Sequence, residues 1–386
     1  MATTPRYRIE SITTGLRSVN HDALFSVRRN GKAFYIKISP TKFINSPNMT
    51  EKYMAYLEVL ESGEEVIGDI YDTDVYEWVM APFESLLVEL VTLPECDLKD
   101  IKITLHEHQF PEFFVFELDI IDEKLCPRRV VAETSPMRPS FVTFDDDFFD
   151  DLETWTALYD PAGIVLSFKD PEYALFKPPN KVLIDDCRTE CFFKPCNSGV
   201  QIRRELGTYK MIHAAGLDSQ FNLCHLYGIV MDEYDFTLRI LLTHIDNRGC
   251  PLSTKIVLKE HDDPPPEVRQ RWMDQIDAAV SGLHDAGLIW GDVNAENVLI
   301  DRDSNAWVTD FGGGCTKGWV DKEVAETMEG DRMGMAKLRE FVFPAASKKG
   351  GTATSMLRQR GLRDIYIRIA DYCTTLKVRV QYLNPE

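Results

Sequence analysis

The stretch 283–314, LHDAGLIWGDVNAENVLIDRDSNAWVTDFGGG, constrains the chain more than any other. It reads as the end of a helix, a turn at Gly287, and a loop carrying Asp292 and Asn297. Two short apolar runs follow, Val298-Leu299-Ile300 and Trp307-Val308-Thr309, separated by the polar turn Asp301 to Asn305. That pattern predicts a β-hairpin. A hairpin brings its ends together, and Asn297 and Asp310 lie just outside those ends, with Asp292 nearby. Oxygen-bearing side chains converging beside a carboxylate suit Mg²⁺, which takes oxygen ligands and keeps phosphate oxygens in its shell. A hairpin with unrelated surface residues is the plainer reading, but it leaves unexplained why both runs are so short and end on those two residues.

Trp290-Gly291-Asp292-Val293-Asn294-Ala295-Glu296-Asn297, followed by Asp310-Phe311-Gly312, resembles the catalytic loop and metal-binding triplet of protein kinases, H-R-D-L-x-x-x-N and D-F-G. Gly291 also matches the H-G-D loop of aminoglycoside and choline phosphotransferases. The resemblance implies an α+β, protein-kinase-like two-lobed fold, with a small mostly-β N-lobe and a helical C-lobe. It further implies ATP and Mg²⁺ as cofactors, Asp292 as the catalytic acid–base group, and Asn297 and Asp310 as metal ligands. Trp290 replaces the family histidine, and an aromatic can fill that packing role. Gly291 replaces the arginine that pairs with an activation-loop phosphate, so switching by that phosphorylation is not expected.

At 386 residues the chain has room for two or three domains. Its formal net charge of −19 argues against nucleic acid as a main partner. Nine cysteines without scaffold-like spacing, and no N-terminal signal pattern, predict a reducing, cytoplasmic setting. The sequon Asn48-Met49-Thr50 would go unused there. No apolar run approaches transmembrane length, so no membrane partner is expected.

Residues 1–165 are expected to form an additional N-terminal α+β domain. Phe25 to Arg28 and Ala33 to Ile38 flank Asn30-Gly31-Lys32, a hairpin signal. A helix over Met49 to Leu60 and a strand over Val75 to Met80 follow, an order that 182–245 repeats, so 20–92 can be read as a degenerate N-lobe-like copy or as an unrelated domain. Residues 101–121 alternate as one or two strands, on which His106 and His108 would share a face as surface histidines. Pro127 to Pro139 reads as a connection. Asp145-Asp146-Asp147-Phe148-Phe149-Asp150-Asp151 reads as a solvated acidic segment docked through its two phenylalanines.

Residues 166–245 are expected to form the kinase-like N-lobe. Lys181 to Asp185 and Glu190 to Lys194 read as strands, and Ile202, Leu206, Tyr209 and Ile212 mark one face of a helix. By resemblance, Lys194 holds the nucleotide phosphates and is oriented by Glu205, so both join the catalytic set. No glycine-rich loop is present; Asp185-Asp186-Cys187-Arg188-Thr189 fills the turn between the two strands. Cys187, Cys191 and Cys196 lack a zinc spacing and read as strand cysteines. Strands over Leu226 to Asp232 and Thr237 to Ile245 lead to Thr243, His244 and Ile245, a hinge whose backbone would bind adenine.

Residues 246–386 are expected to form the helical, truncated C-lobe. Val268, Trp272, Ile276, Val280 and Leu283 give an apolar stripe from Glu267 to Gly287. Only 20 residues separate Asp310 from Asp331. Glu329-Gly330-Asp331 resembles the start of the helix whose aspartate braces the catalytic loop. A connection at Lys348 to Thr352 and a helix over Met356 to Leu376 complete the chain. From F-F-K-P through E-G-D, over roughly 180–345, the chain is similar to fungal kinase-like proteins. The short segment after Asp310 favours a small-molecule acceptor over a protein. Three readings follow: Mg-ATP-dependent phosphotransfer, a kinase-fold scaffold used for nucleotidyl or aminoacyl transfer in biosynthesis, or a non-catalytic pseudokinase-like binding protein. Oligomeric state is not legible.

Overall fold

Asn30 and Gly31 adopt φ of 46° and 77°, the left-handed pair that a two-residue hairpin turn demands. They join strands β2 (Ala23–Arg29) and β3 (Lys32–Ile38), with β1 (Arg8–Thr14) antiparallel to β2. The computed structural model describes residues 7–15, 20–91, 100–138, 141–196, 198–232, 236–246, 251–257, 264–344 and 379–382. The connection expected at 348–352 and the helix expected over 356–376 lie outside the described residues. The chain divides into two units. One comprises Met1–Pro139, Ile164–Pro179 and Thr374–Glu386, and the other Ser140–Gly163 and Asn180–Cys373. Residues 140–163 group with the later residues, and 245 falls inside the second unit.

In the first unit, helices α1 (Pro47–Ser62), α2 (Asp72–Met80), α3 (Glu84–Leu90) and α4 (Leu105–Gln109) follow the hairpin, then strands β4 (Phe113–Ile121) and β5 (Lys124–Val130). The sheet runs from the C-terminal strand Arg379–Tyr382 through β1, β2, β3 and β4 to β5. Tyr53, Leu57 and Leu60 of α1 and Val75, Val79 and Met80 of α2 share one core with Phe25, Phe34, Ile36 and Phe116 of the sheet.

Three expectations are corrected here. The run Val75 to Met80 is helical: Val75, Tyr76, Val79 and Met80 are the buried positions of α2, a spacing that fits one helix face. His106 and His108 sit on α4, started by a capping box between Thr104 and Glu107; the His108 ring lies 3.1 Å from the Lys177 carbonyl. Pro127 lies inside β5 opposite Leu118, tolerated because β5 is the edge of its sheet. β3 pairs in parallel with β4, as the long helical crossover between them permits.

In the second unit, α5 (Asp146–Glu153) and β6 (Ala157–Tyr159) precede the hairpin of β7 (Lys181–Ile184) and β8 (Thr189–Pro195). Helix α6 (Gly199–Ala214) and strands β9 (Leu226–Met231) and β10 (Thr237–Thr243) follow. Strand order is β6, β9, β10, β8, β7, with β8 antiparallel to β10. Then come α7 (Leu252–Val257), α8 (Pro266–Asp285), the hairpin β11 (Val298–Ile300) and β12 (Ala306–Val308), and α9 (Met328–Val342). The stripe Trp272, Ile276, Val280 and Leu283 of α8 shares a core with Ile202, Leu206, Tyr209 and Ile212 of α6 and with both hairpin strands. The β7–β8 turn lacks glycine, yet Asp185, Asp186 and Cys187 all take positive φ, 51°, 55° and 66°. Asp is among the residues that tolerate this region.

Candidate active site

Lys194 points from β8 toward α6. Its ammonium lies 2.7 and 2.8 Å from the two carboxylate oxygens of Glu205 and 3.0 Å from Asp310 Oδ1. Glu205 is 3% exposed, which suits a carboxylate only when a cation accompanies it. Burial acts to lower the Lys194 pKa, but Glu205 and Asp310 outweigh it and hold the ammonium above its ordinary range. Burial raises the Glu205 pKa, with Lys194 opposing. The three side chains come from β8, α6 and the second residue after β12.

The hairpin forms as its turn chemistry dictates. Asp301 Oδ1 accepts the amides of Asp303 and Asn305 at 2.9 and 2.8 Å, and Val298 pairs with Val308. Thr309 closes the open end: its amide and its hydroxyl both donate to the Asn297 carbonyl at 3.0 Å. Asn297 and Asp310 are thus brought to one end of the hairpin. Asp310 takes φ of 63°, and Phe311 turns inward against Tyr209, ring centroids 5.4 Å apart at 86°. Trp290 is buried, and its indole N–H donates to the Thr309 carbonyl at 2.9 Å, tying the loop to the segment between β12 and Asp310.

Asp292 is held from a part of the chain that sequence reasoning missed. The Thr316 amide donates to Oδ1 and the Thr316 hydroxyl to Oδ2, both at 2.9 Å. Asn294 is a second omission: its side-chain oxygen accepts the amides of Glu296 and Asn297 at 2.9 and 3.1 Å, shaping the turn. The Asn-x-x-Asn spacing was the available signal. Asp331, at the start of α9, accepts the amides of Trp290 and Gly291 at 2.8 and 2.9 Å and faces His284 Nε2 at 2.9 Å. Gly291 has φ of +93°, and a Cβ there would lie 3.2 Å from Gly313 Cα. A larger residue at that position would be strained at this φ and would press on the segment after Phe311.

Among the hinge residues, Thr243 is committed elsewhere. Its amide donates to the His225 carbonyl at 3.0 Å and its hydroxyl meets His225 Nδ1 at 2.9 Å. The ladder to β8 ends at the pair Cys191–Thr243, which puts His244 and Ile245 just beyond it. His244 Nδ1 lies 3.4 Å from Glu190, and the Ile245 side chain is buried in the core. Burial lowers the pKa of both His225 and His244. Of the three clustered cysteines, Cys191 and Cys196 are buried and Cys187 is exposed. Burial pushes the first two up to about 12, so they are inert thiols.

Two comparisons bear on this geometry. Residues 234–329 match the model of the Lipopolysaccharide kinase (Kdo/WaaP) family. The similarity is to kinases. CBL-interacting protein kinase 1 of Oryza sativa subsp. japonica is 32% identical over 116 residues. That alignment covers 29% of this chain and 22% of the rice protein. Both matches support a kinase-like superfamily relationship, and the described residues form a mixed α+β architecture. No helix among the described residues is long and apolar enough to cross a membrane.

Proposed function

We propose that the second unit is a Mg-ATP-dependent phosphotransferase of two-lobed kinase-like fold that acts on a hydroxyl of a small molecule. In this reading β7 to β10 with α6 form the small lobe and α7 to α9 the helical lobe. The first unit is an additional α+β domain, and the protein works in the cytoplasm. The observation that carries the reading is the Lys194 ammonium held between Glu205 and Asp310. A cation anchored by one buried acid and shared with a second, more exposed one suits phosphate oxygens entering beside it.

The donor set fits the implied metal. Asp310 gives one carboxylate oxygen to Lys194, and its side chain is 46% exposed. Asn297 donates its amide N–H to the Asp292 carbonyl at 3.0 Å, leaving its own side-chain oxygen as an acceptor. A carboxylate and an amide oxygen are what a hard, oxygen-seeking ion takes, so Asp310 and Asn297 would hold Mg²⁺. When bound, Mg²⁺ supplies charge neutralisation at the transferring phosphate. Lys194 binds phosphate oxygens. Asp292, its carboxylate oriented by Thr316, accepts the proton of the acceptor hydroxyl. By the same resemblance, the backbone of His244 and Ile245 would bind the adenine. The short segment between Asp310 and Asp331, and the name of the matched family, support a small-molecule acceptor.

The test is purified full-length protein with Mg²⁺ and ATP. The expected results are an upward shift of the unfolding midpoint and ATP consumption that Asp310→Asn abolishes while melting like wild type. Full turnover in Asp310→Asn removes the reading, and nucleotide binding without turnover in the wild type replaces it with a non-catalytic binding role.

A further inference from the structure

Helix α6 carries Glu205, so whatever holds α6 in place also sets the Lys194 contact. Its inner face is core, through Ile202, Leu206, Tyr209 and Ile212. Its outer side carries α5, formed by the acidic run Asp145 to Asp151, which runs alongside it. Asp145 accepts the Phe148 amide at 3.0 Å as a helix cap and pairs with Arg203 at 2.7 Å. Asp151 pairs with Lys210. Arg203 and Lys210 are seven residues apart on α6, hence on one face, with Glu205 between them in sequence. The Arg203 guanidinium also lies 4.1 Å from the Phe148 ring centroid, and Leu152, buried, reaches the shared core.

Both ends of this segment are fastened to the sheet. Val142 exchanges backbone hydrogen bonds of 2.9 and 3.0 Å with Thr237, the first residue of β10. On the other side of α5, Ala157–Tyr159 adds to β9 in parallel. The approach there is close: a Cβ on Gly228 would lie 2.4 Å from the Tyr159 ring. We propose that residues 141–159 are a built-in strap that holds α6, and with it Glu205, against Lys194. The chain then needs no second protein to assemble its nucleotide-positioning pair. Arg203, Lys210, Asp145 and Asp151 are positioning residues, acting on the site through α6. Single exposed ion pairs are weak, and the strap works through two of them together with its aromatic and apolar contacts.

Charge reversal at one pair tests this without touching the core. In full-length Asp151→Lys, and separately in Lys210→Asp, exchange of α6 amides should quicken and KM for Mg-ATP rise, each about fivefold. Combining the two substitutions should return both quantities toward wild type. Unchanged α6 exchange and KM in the single variants overturn the strap, as does a double variant no better than the singles. A contact that merely stabilises would lower the unfolding midpoint and leave KM where it was, and that result also overturns it. The proposal rests on the phosphotransfer reading. If wild-type protein neither binds nor turns over Mg-ATP, that reading fails, while α6 exchange in the same three variants still decides the strap.

Discussion

A Cβ placed on Gly334 would lie 2.5 Å from the Cβ of Val293, so α9 meets the loop carrying Asp292 with no space between them. Gly334→Ala should force helix and loop apart. Overpacking of this kind costs about 1–3 kcal/mol. The measurement is a denaturant midpoint together with kcat/KM, and both are expected to fall. A variant as stable and active as wild type would show that the contact yields freely.

Asp331 is the acceptor for two loop amides, and Asp331→Ala removes it from both. Each buried donor left without a partner costs about 1–3 kcal/mol. Exchange of the Trp290 and Gly291 amides should rise well above that of other loop amides, and turnover should drop. Asp331→Asn keeps one carbonyl oxygen and should fall between the two. Equal protection of both amides in all three proteins would contradict this.

Replacing Lys194 with Met leaves Glu205 buried without its cation. Breaking such a pair destabilises by about 3 kcal/mol, and nucleotide binding should vanish as well. Pairing Lys194→Met with Glu205→Gln should recover much of the stability and none of the binding. Unfolding curves and nucleotide titration separate the two effects.

His225 and His244 carry pKa values lowered by burial from an ordinary value of 6.5. As pH falls, the unfolded chain takes up these protons first, so stability rises with pH over this range. Their contribution is present above about pH 6.5 and lost as pH falls through the folded values. Comparing wild type with His225→Gln and with His244→Gln between pH 7 and 5 separates each histidine's contribution from that of the carboxylates. Each variant is expected to show a shallower loss of stability on acidification, and an unchanged slope would contradict the assignment.

What could be read from the sequence was local. The hairpin at 298–308 declared itself through two apolar triplets and an Asp-rich turn, and its ends located Asn297 and Asp310. Lys194 reads in the sequence as a strand residue and Glu205 as a helix residue, and the fold joins the two in an ion pair. Val75 to Met80 was misread because a short apolar run fits a strand and a helix face equally. Thr316 and His225 were missed for a different reason. Each acts on a residue far away in sequence, Thr316 on Asp292 and His225 on Thr243, and no local pattern marks such a contact. The parallel pairing of β3 with β4 is non-local in the same way.

The left-handed backbone at Asp310 narrows what that position can hold. Aspartate and asparagine enter this conformation more readily than other side chains bearing a Cβ. A charge-removing Asn therefore alters the chemistry and spares the geometry, whereas Ala or Glu would distort the chain locally as well. Loss of function in those two would blend a lost ligand with a bent backbone, so only the amide isolates what the carboxylate contributes.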